Sequence, residues 1–251
     1  MNDVGDRERA FWDQHVRPLA HLVRAYERGP GGNTRALLDA VEPTVGARVL
    51  DFACGAGITA AFLAQRGARV TGLDISPASI ERARELAEHL GLTIEFVIGE
   101  LTPTTFPPHS FDAIVGRYAL HHVDLRVIAP IFNEILVPGG SGVFLETMGL
   151  NPLLNFSRRL AGRWGVASYG SDDERPIERS DLRILERNLG AVQLHIGKMQ
   201  FLRIFDRNVL RFRHRRASAL LGRLDDGMAR LGLGVLSYNQ IVKVVKPAAT
   251  H

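Results

Sequence analysis

Apolar residues along this chain change their spacing several times, and each change predicts an element. Over residues 6–28 the less polar positions Phe11, Trp12, His15, Leu19, Leu22, Val23 and Tyr26 recur at helical spacing, and Gly29-Pro30-Gly31-Gly32 ends that helix. Asn33 or Thr34 is placed to cap a second helix that runs to about Val41. Short apolar runs then alternate with helical stretches. The spacing predicts strands over Arg48–Phe52, Arg69–Leu73, Thr93–Ile98, Phe111–Val115 and Gly142–Glu146, and helices over Ile58–Gln65, Ser76–Leu90 and Val127–Leu136. Ser76-Pro77 supplies a cap and a first-turn proline, Gly91 a stop, and Pro138-Gly139-Gly140 is expected to end the last of these helices. Alternation of this kind means βαβ units and a parallel sheet covered on both faces. After Glu146 the rhythm breaks. Residues 148–180 read as irregular, Ala191–Phe201 and Ser237–Val245 as strands, and 204–232 as helical.

The first of these strands runs straight into a glycine loop, Val49-Leu50-Asp51-Phe52-Ala53-Cys54-Gly55-Ala56-Gly57, with a helix after it. Strand, glycine loop and helix is how an open parallel sheet grips a nucleotide-like ligand, because a glycine lets the backbone approach where a side chain would block it. Three acids fall at the carboxyl ends of successive strands: Asp51, Asp74 and Glu100. Taken singly, each is a helix cap or a solvated loop residue. In register beside a glycine loop they form a nucleoside site, with Asp74 placed for both ribose hydroxyls.

Two cofactor chemistries fit that loop. Gly55-Ala56-Gly57-Ile58-Thr59-Ala60 satisfies the dinucleotide fingerprint in its Ala-ending form, so an NAD-dependent oxidoreductase is one reading. A pyrophosphate, however, wants neutral amides at a helix start, and Asp51 would repel it. A ligand carrying an amino group and a sulfonium would be drawn to the same carboxylate.

Length, composition and charge narrow the picture further. The chain has 251 residues, 45% hydrophobic and 23% charged, which is ordinary for a globular protein. No apolar run reaches bilayer length, and the polar, acidic start is no secretory signal, so a cytoplasmic location is expected. One cysteine, Cys54, allows no internal disulfide. Residues 1–150 carry a net −5 and residues 151–251 a net +9, an asymmetry that can mark an anionic partner. Nearly all the basic charge is arginine, which reads as coding bias and lowers the weight of that count.

The motifs together resemble the class I S-adenosylmethionine-dependent methyltransferases. Asp51-x-x-Cys54-Gly55-x-Gly57 resembles the family's first motif and Val70–Ile75 its ribose motif. Gly99-Glu100-Leu101 with Thr105-Phe106-Pro107 and Phe111-Asp112 is similar to the adenine-side segment. Arg117-Tyr118-Ala119-Leu120-His121-His122-Val123 resembles the segment after the fourth strand, and Leu136-Val137-Pro138-Gly139-Gly140 the turn before the fifth. The likeness covers roughly residues 45–147, with Glu100 standing where the family more often has Asp. It implies an α/β fold: a Rossmann-like, doubly wound, mostly parallel seven-stranded sheet with an antiparallel last strand and helical lid insertions. It implies one methyltransferase domain: a helical cap over 1–42, a cofactor core over 43–147, and a substrate cap with the last two strands over 148–251, including a helical insert over 202–236. Asp51 with Ala53, Cys54, Gly55 and Gly57 would hold the methionine moiety. Asp74 and Ile75 would hold the ribose, and Glu100 and Leu101 the adenine. The backbone near Arg117 would lie close to the sulfonium.

The expected reaction is transfer of the methyl group of S-adenosyl-L-methionine to O or N of a small-molecule or lipid-like metabolite, leaving S-adenosyl-L-homocysteine. A non-catalytic protein that only binds the cofactor is the other alternative. Such a transfer needs positioning and exclusion of water, and a base only for a poorly ionised hydroxyl. His122 and His121 are the base candidates; the plainer reading has one packing in a turn and the other touching cofactor. A histidine pair falls short of a metal set, and no metal is expected. Tyr118 and Glu146 fall near the expected pocket. Tyr26 and His15 could close over it, although packing suits both better. Cys54 lacks a nearby base and is not read as a nucleophile. Arg203, Arg207, Arg211 and Arg215 fall at four-residue spacing, a basic face over Arg203–Arg216 that can lie on an anionic membrane, meet an anionic acceptor, or simply be solvated. Without aromatic interleaving or an RNA module, nucleic acid is not expected.

Overall fold

In a computed structural model of the chain, residues 3–42, 45–152, 155, 175–196, 199, 201–206 and 213–248 are described. Three helices lead into the sheet: α1 (Asp3–Gln14), α2 (Leu19–Glu27) and α3 (Gly32–Val41). The single helix expected over 6–28 is two. Pro18 has no N–H to donate and sits in extended backbone (φ −57°, ψ 142°), where it caps α2 instead of continuing α1. The start of α3 also differs from expectation, since its N-cap is Gly31 and Asn33 and Thr34 lie inside the helix.

Strands and helices then alternate as β1 (Arg48–Phe52), α4 (Ile58–Gln65), β2 (Arg69–Asp74), α5 (Pro77–His89), β3 (Glu95–Ile98), β4 (Phe111–Arg117), α6 (Leu125–Ile135) and β5 (Leu136–Thr147). Ser76 Oγ accepts from Ser79 N at 3.0 Å, the cap predicted for α5. Asp124 caps α6, which starts at Leu125, two residues ahead of the expected start. Pro138-Gly139-Gly140 does not separate helix from strand: β5 begins at Leu136 and runs through it with a register shift against β4. Gly139, at φ 80°, supplies the bend. Its N–H reaches Lys246 O at 3.1 Å, so the C-terminal chain holds the irregular stretch in the sheet.

Beyond β5 come α7 (Arg179–Leu189), β6 (Val192–His195), α8 (Leu202–Phe205), α9 (Arg215–Arg230) and β7 (Asn239–Val245). α7 falls partly where irregular chain was expected. It starts with a capping box between Glu178 and Asp181 and buries Leu185 and Leu189. β6 is shorter than the strand expected over Ala191–Phe201. The helical stretch expected over 204–232 is interrupted: His214 is extended (φ −116°, ψ 90°), so Arg203 on α8 and Arg215 on α9 do not share one helical face. Arg207 and Arg211 lie outside the described residues.

The seven strands form one sheet in the order β3-β2-β1-β4-β5-β7-β6. β7 runs antiparallel to β5 and β6, and the other pairings are parallel. Strand alternation puts Leu50, Phe52 and Ile114 on one face with Phe132 and Leu185, and Val49, Val115 and Val143 on the other with Leu37, Leu38 and Leu63. The strand order reverses between β1 and β4. That switch point opens a crevice at the carboxyl ends of the strands, where open α/β sheets bind ligands.

Candidate active site

Asp51 sits in the middle of the sheet, paired through its backbone with Gly72 on one side and Val115 on the other. It is 1% exposed and faces the backbone N–H of Ala60 in the first turn of α4. Burial pushes its pKa up to about 7, against the opposing pull of Arg117 and that N–H, while Asp74 adds to the rise. Asp51 is therefore less fully ionised at neutral pH than the charge argument from sequence assumes. Its Oδ2 is buried and has no hydrogen-bond partner among the described residues.

Around Asp51 the loop is shaped by conformation. Ala53 (φ 54°), Gly55 (φ 51°) and Gly57 (φ 73°) all lie in the left-handed region. A Cβ on Gly57 would meet the Ala83 Cβ at 2.8 Å, so that glycine lets α5 pack against the loop. A Cβ on Gly55 would meet nothing within 4 Å, so there the missing side chain leaves open space. Cys54 is buried and its thiol pKa is pushed well up by burial and by Asp51 and Asp74, which suits a packing role.

Asp74 ends β2 and closes the loop. Its Oδ2 accepts from Gly55 N at 2.7 Å and its Oδ1 from Ser76 N at 2.9 Å. Burial raises its pKa, the two N–H bonds and His122 oppose the rise, and Asp13 adds to it. Ile75 is half-buried beside it, Leu101 is buried and Glu100 is exposed at the end of β3. Arg117, at the end of β4, has its pKa lowered by burial, with Asp51 opposing. The structure thus brings Asp51, Gly55, Asp74 and Arg117 to one crevice.

The second half of the site is built by a kink. Tyr118 takes φ 59° and bonds through its N–H to Leu145 O, turning the chain out of β4 into a 3-10 turn over Leu120–His122. The turn aims Ala119 N and Leu120 N at Glu146 Oε1, both at 2.8 Å. Glu146 is fully buried on β5, and its Oε2 lies 2.8 Å from His121 Nδ1. Two N–H donors hold the carboxylate, and the carboxylate selects the Nδ1–H tautomer of His121. The His122 ring lies 4.2 Å from that of His121, centre to centre, with its Nδ1 3.5 Å from Glu8 Oε2 on α1.

Sequence reasoning missed the part played by α1. Trp12 Nε1 donates to Glu8 Oε2 at 2.9 Å, and the Trp12 ring meets His122 edge-on at 5.8 Å. Asp13 accepts from Ser76 Oγ and from Ala78 N, so α1 is fastened over the start of α5 beside Asp74. The i,i+4 spacing of Glu8 and Trp12 was visible, but nothing local indicated their partner. The residues considered instead pack elsewhere: Tyr26 stacks on Phe62 at 4.8 Å, and His15 is exposed, stacked on Phe11 at 4.1 Å.

Comparison with known proteins bears on this geometry. A family model described as a methyltransferase domain matches residues 49–140, from β1 through the bend in β5. The chain is 38% identical over 140 residues to the ubiquinone biosynthesis O-methyltransferase of Methylocella silvestris, covering 54% of this chain and 54% of that protein. It is 30% identical over 176 residues to the enzyme of the same name from Pectobacterium atrosepticum, covering 69% and 66%. The chain spans about half the length of most of the curated relatives it matches. Among solved structures, a geranyl diphosphate C-methyltransferase from Streptomyces coelicolor superposes with a TM-score of 0.68 at 14% identity, over 99% of this chain and 100% of that one, which establishes the shared fold. With the glycine loop, the strand-end acids and the β3-β2-β1-β4-β5-β7-β6 sheet all in place, the chain belongs to the class I S-adenosylmethionine-dependent methyltransferases.

Proposed function

We propose that the chain transfers the methyl group of S-adenosylmethionine to a hydroxyl oxygen of a small molecule, with His121 as general base. The buried His121–Glu146 pair beside the crevice carries this reading. Bound S-adenosylmethionine supplies an electrophilic methyl group on a sulfonium. The residues present suit such a cation: Asp51 offers a buried oxygen without a partner among the described residues, the strand-end Asp74 lies beside the loop, and Gly55 leaves space above the backbone. The printed names of the curated relatives, O-methyltransferases of ubiquinone biosynthesis, support oxygen as the attacking atom.

In this reading Glu146 holds His121 with Nδ1 protonated, so Nε2 takes the acceptor's hydroxyl proton as the oxygen attacks. The carboxylate then stabilises the imidazolium that forms. His122, between His121 and the Glu8 and Trp12 side chains of α1, orients the acceptor side and helps exclude water. The same arrangement could serve an amine, but a neutral amine needs no base to attack, and a buried carboxylate-held imidazole would then be without a task.

The test is a turnover assay with labelled cofactor over a panel of hydroxylated small molecules. His121→Ala is expected to lower kcat by about 10²–10⁴-fold with cofactor affinity retained. Glu146→Gln keeps an oxygen for the two backbone donors but cannot accept from His121 Nδ1–H, so it should shift the acidic limb of the pH–rate profile. An acceptor with a more acidic hydroxyl should rescue His121→Ala. An unchanged kcat and pH profile in His121→Ala would discard His121 as the base.

A further inference from the structure

We propose that α9 is a docking helix for anionic lipid bilayers. Four large apolar side chains are exposed within a short segment: Leu220 (57%), Leu224 (48%), Leu231 (78%) and Leu233 (40%). At 3.6 residues per turn, Leu220, Leu224 and Leu231 fall within about 40° of arc, and Arg216, Arg223 and Arg230 fall within about 40° of the adjoining arc. All three arginines are exposed, and none has an ion-pair partner among the described residues. Arg213, His214 and Arg215 add exposed basic groups at the start of the helix, against the single exposed acid Asp226.

The inward face of α9 is fixed, and so is the outward one. Asp225 is fully buried and accepts from Leu202 N at 2.8 Å and from Arg203 N at 3.1 Å, which fastens α9 to the start of α8. Gly222, also buried, lies on the same side, near the Arg203 guanidinium. The boundary between the leucine and arginine stripes points directly away from Asp225 and Gly222. A helix held in that orientation presents leucines to the acyl boundary and guanidinium groups to lipid phosphates, as interfacial helices do.

Charge complementarity identifies the occupant. Residues 213–230 carry five arginines against Asp225 and Asp226, and Asp225 is buried, so the exposed side of α9 is strongly basic and complements an anionic surface. A second copy of the chain would instead bring two arginine stripes together. The inference is independent of the methyl-transfer reading, because α9 contributes none of the residues placed in the crevice.

Co-sedimentation of the full chain with lipid vesicles tests it. Binding is expected to vesicles of phosphatidylcholine mixed with phosphatidylglycerol, not to phosphatidylcholine alone, and to weaken with added salt. Each of Arg216→Gln, Arg223→Gln and Arg230→Gln should weaken partitioning by about fivefold. The double variant Leu220→Ser, Leu224→Ser should lose binding while keeping the native circular dichroism spectrum and cofactor affinity. Binding unaffected by these substitutions, or none to anionic vesicles, would overturn the proposal. So would light scattering that shows a dimer abolished by the same leucine substitutions.

Discussion

At the scale of single residues, the site is governed by how much charge burial leaves on two aspartates. Asp51 has a folded pKa of about 7, above the ordinary 3.8. Between those values the native state holds a proton that the unfolded chain has lost. The group therefore favours the fold at low pH, and that contribution fades as pH rises through about 7. A cationic ligand favours the carboxylate, so binding should expel this proton. Affinity for S-adenosylmethionine is expected to rise with pH by up to about tenfold per unit until the pH passes 7, then level off. Calorimetry in buffers of different ionisation enthalpy should detect the released proton, and Asp51→Asn should remove the effect. Asp74→Ala should weaken cofactor binding by ~1–3 kcal/mol, the loss expected for a buried charged hydrogen-bond partner. Unaltered affinity would take Asp74 out of the site. The two loop glycines should separate stability from binding. Gly57→Ala adds a clash with Ala83 to the cost of its positive φ and should lower the melting temperature strongly, whereas Gly55→Ala meets no neighbour, carries only the cost of its positive φ, and should weaken cofactor binding with a smaller loss of stability. Asp51, Asp74 and the glycines were legible in the sequence because strand, loop and acid are close along the chain. The His121–Glu146 pair was not, since 25 residues separate the partners and sheet register alone makes them neighbours.

At the scale of elements, α1 is the piece that the crevice recruits. Its hold on α5 passes through Asp13, which accepts from Ser76 Oγ and Ala78 N, and its hold on the turn after β4 passes through Glu8 and Trp12. Asp13→Ala should loosen α1 and raise amide exchange over residues 3–14. Cofactor dissociation should become faster, with little change in exchange across the central strands. Equal protection of α1 in the variant would contradict that role. Elements whose cues were local were predicted with the observed bounds, among them β1 and α4. Elements decided by distant contacts were misread. Residues 136–141 look like a turn, yet the backbone of Lys246 and Gly140 keeps them in β5. α7 carries a charged face, and its apolar positions Leu185 and Leu189 gain meaning only against the sheet. Pro18 was readable as a helix break and was outweighed by the apolar period across it.

For the whole molecule, the fold is a division of charge as well as of layers. The acidic first part builds the crevice, and the basic last part supplies β6, β7 and the arginine-flanked α9. Parallel β1, β2 and β3 bring the strand-end acids to one edge, and the reversal of strand order opens the space between β1 and β4. Among the described residues no helix is long and apolar enough to cross a membrane, so any lipid contact of α9 is with a bilayer surface. The parallel sheet and the cofactor crevice were legible because the strand–helix alternation admits few topologies. The outward face of α9 was not, because the contact between Asp225 and the start of α8 sets it.

Titration calorimetry of the purified chain at a pH above 7 probes the cofactor assignment most directly. S-adenosylmethionine and S-adenosylhomocysteine should each saturate one site per chain, the sulfonium form losing affinity on acidification, while NAD gives no binding heat. Saturation by NAD, with no response to either sulfur compound, would contradict the account at its root.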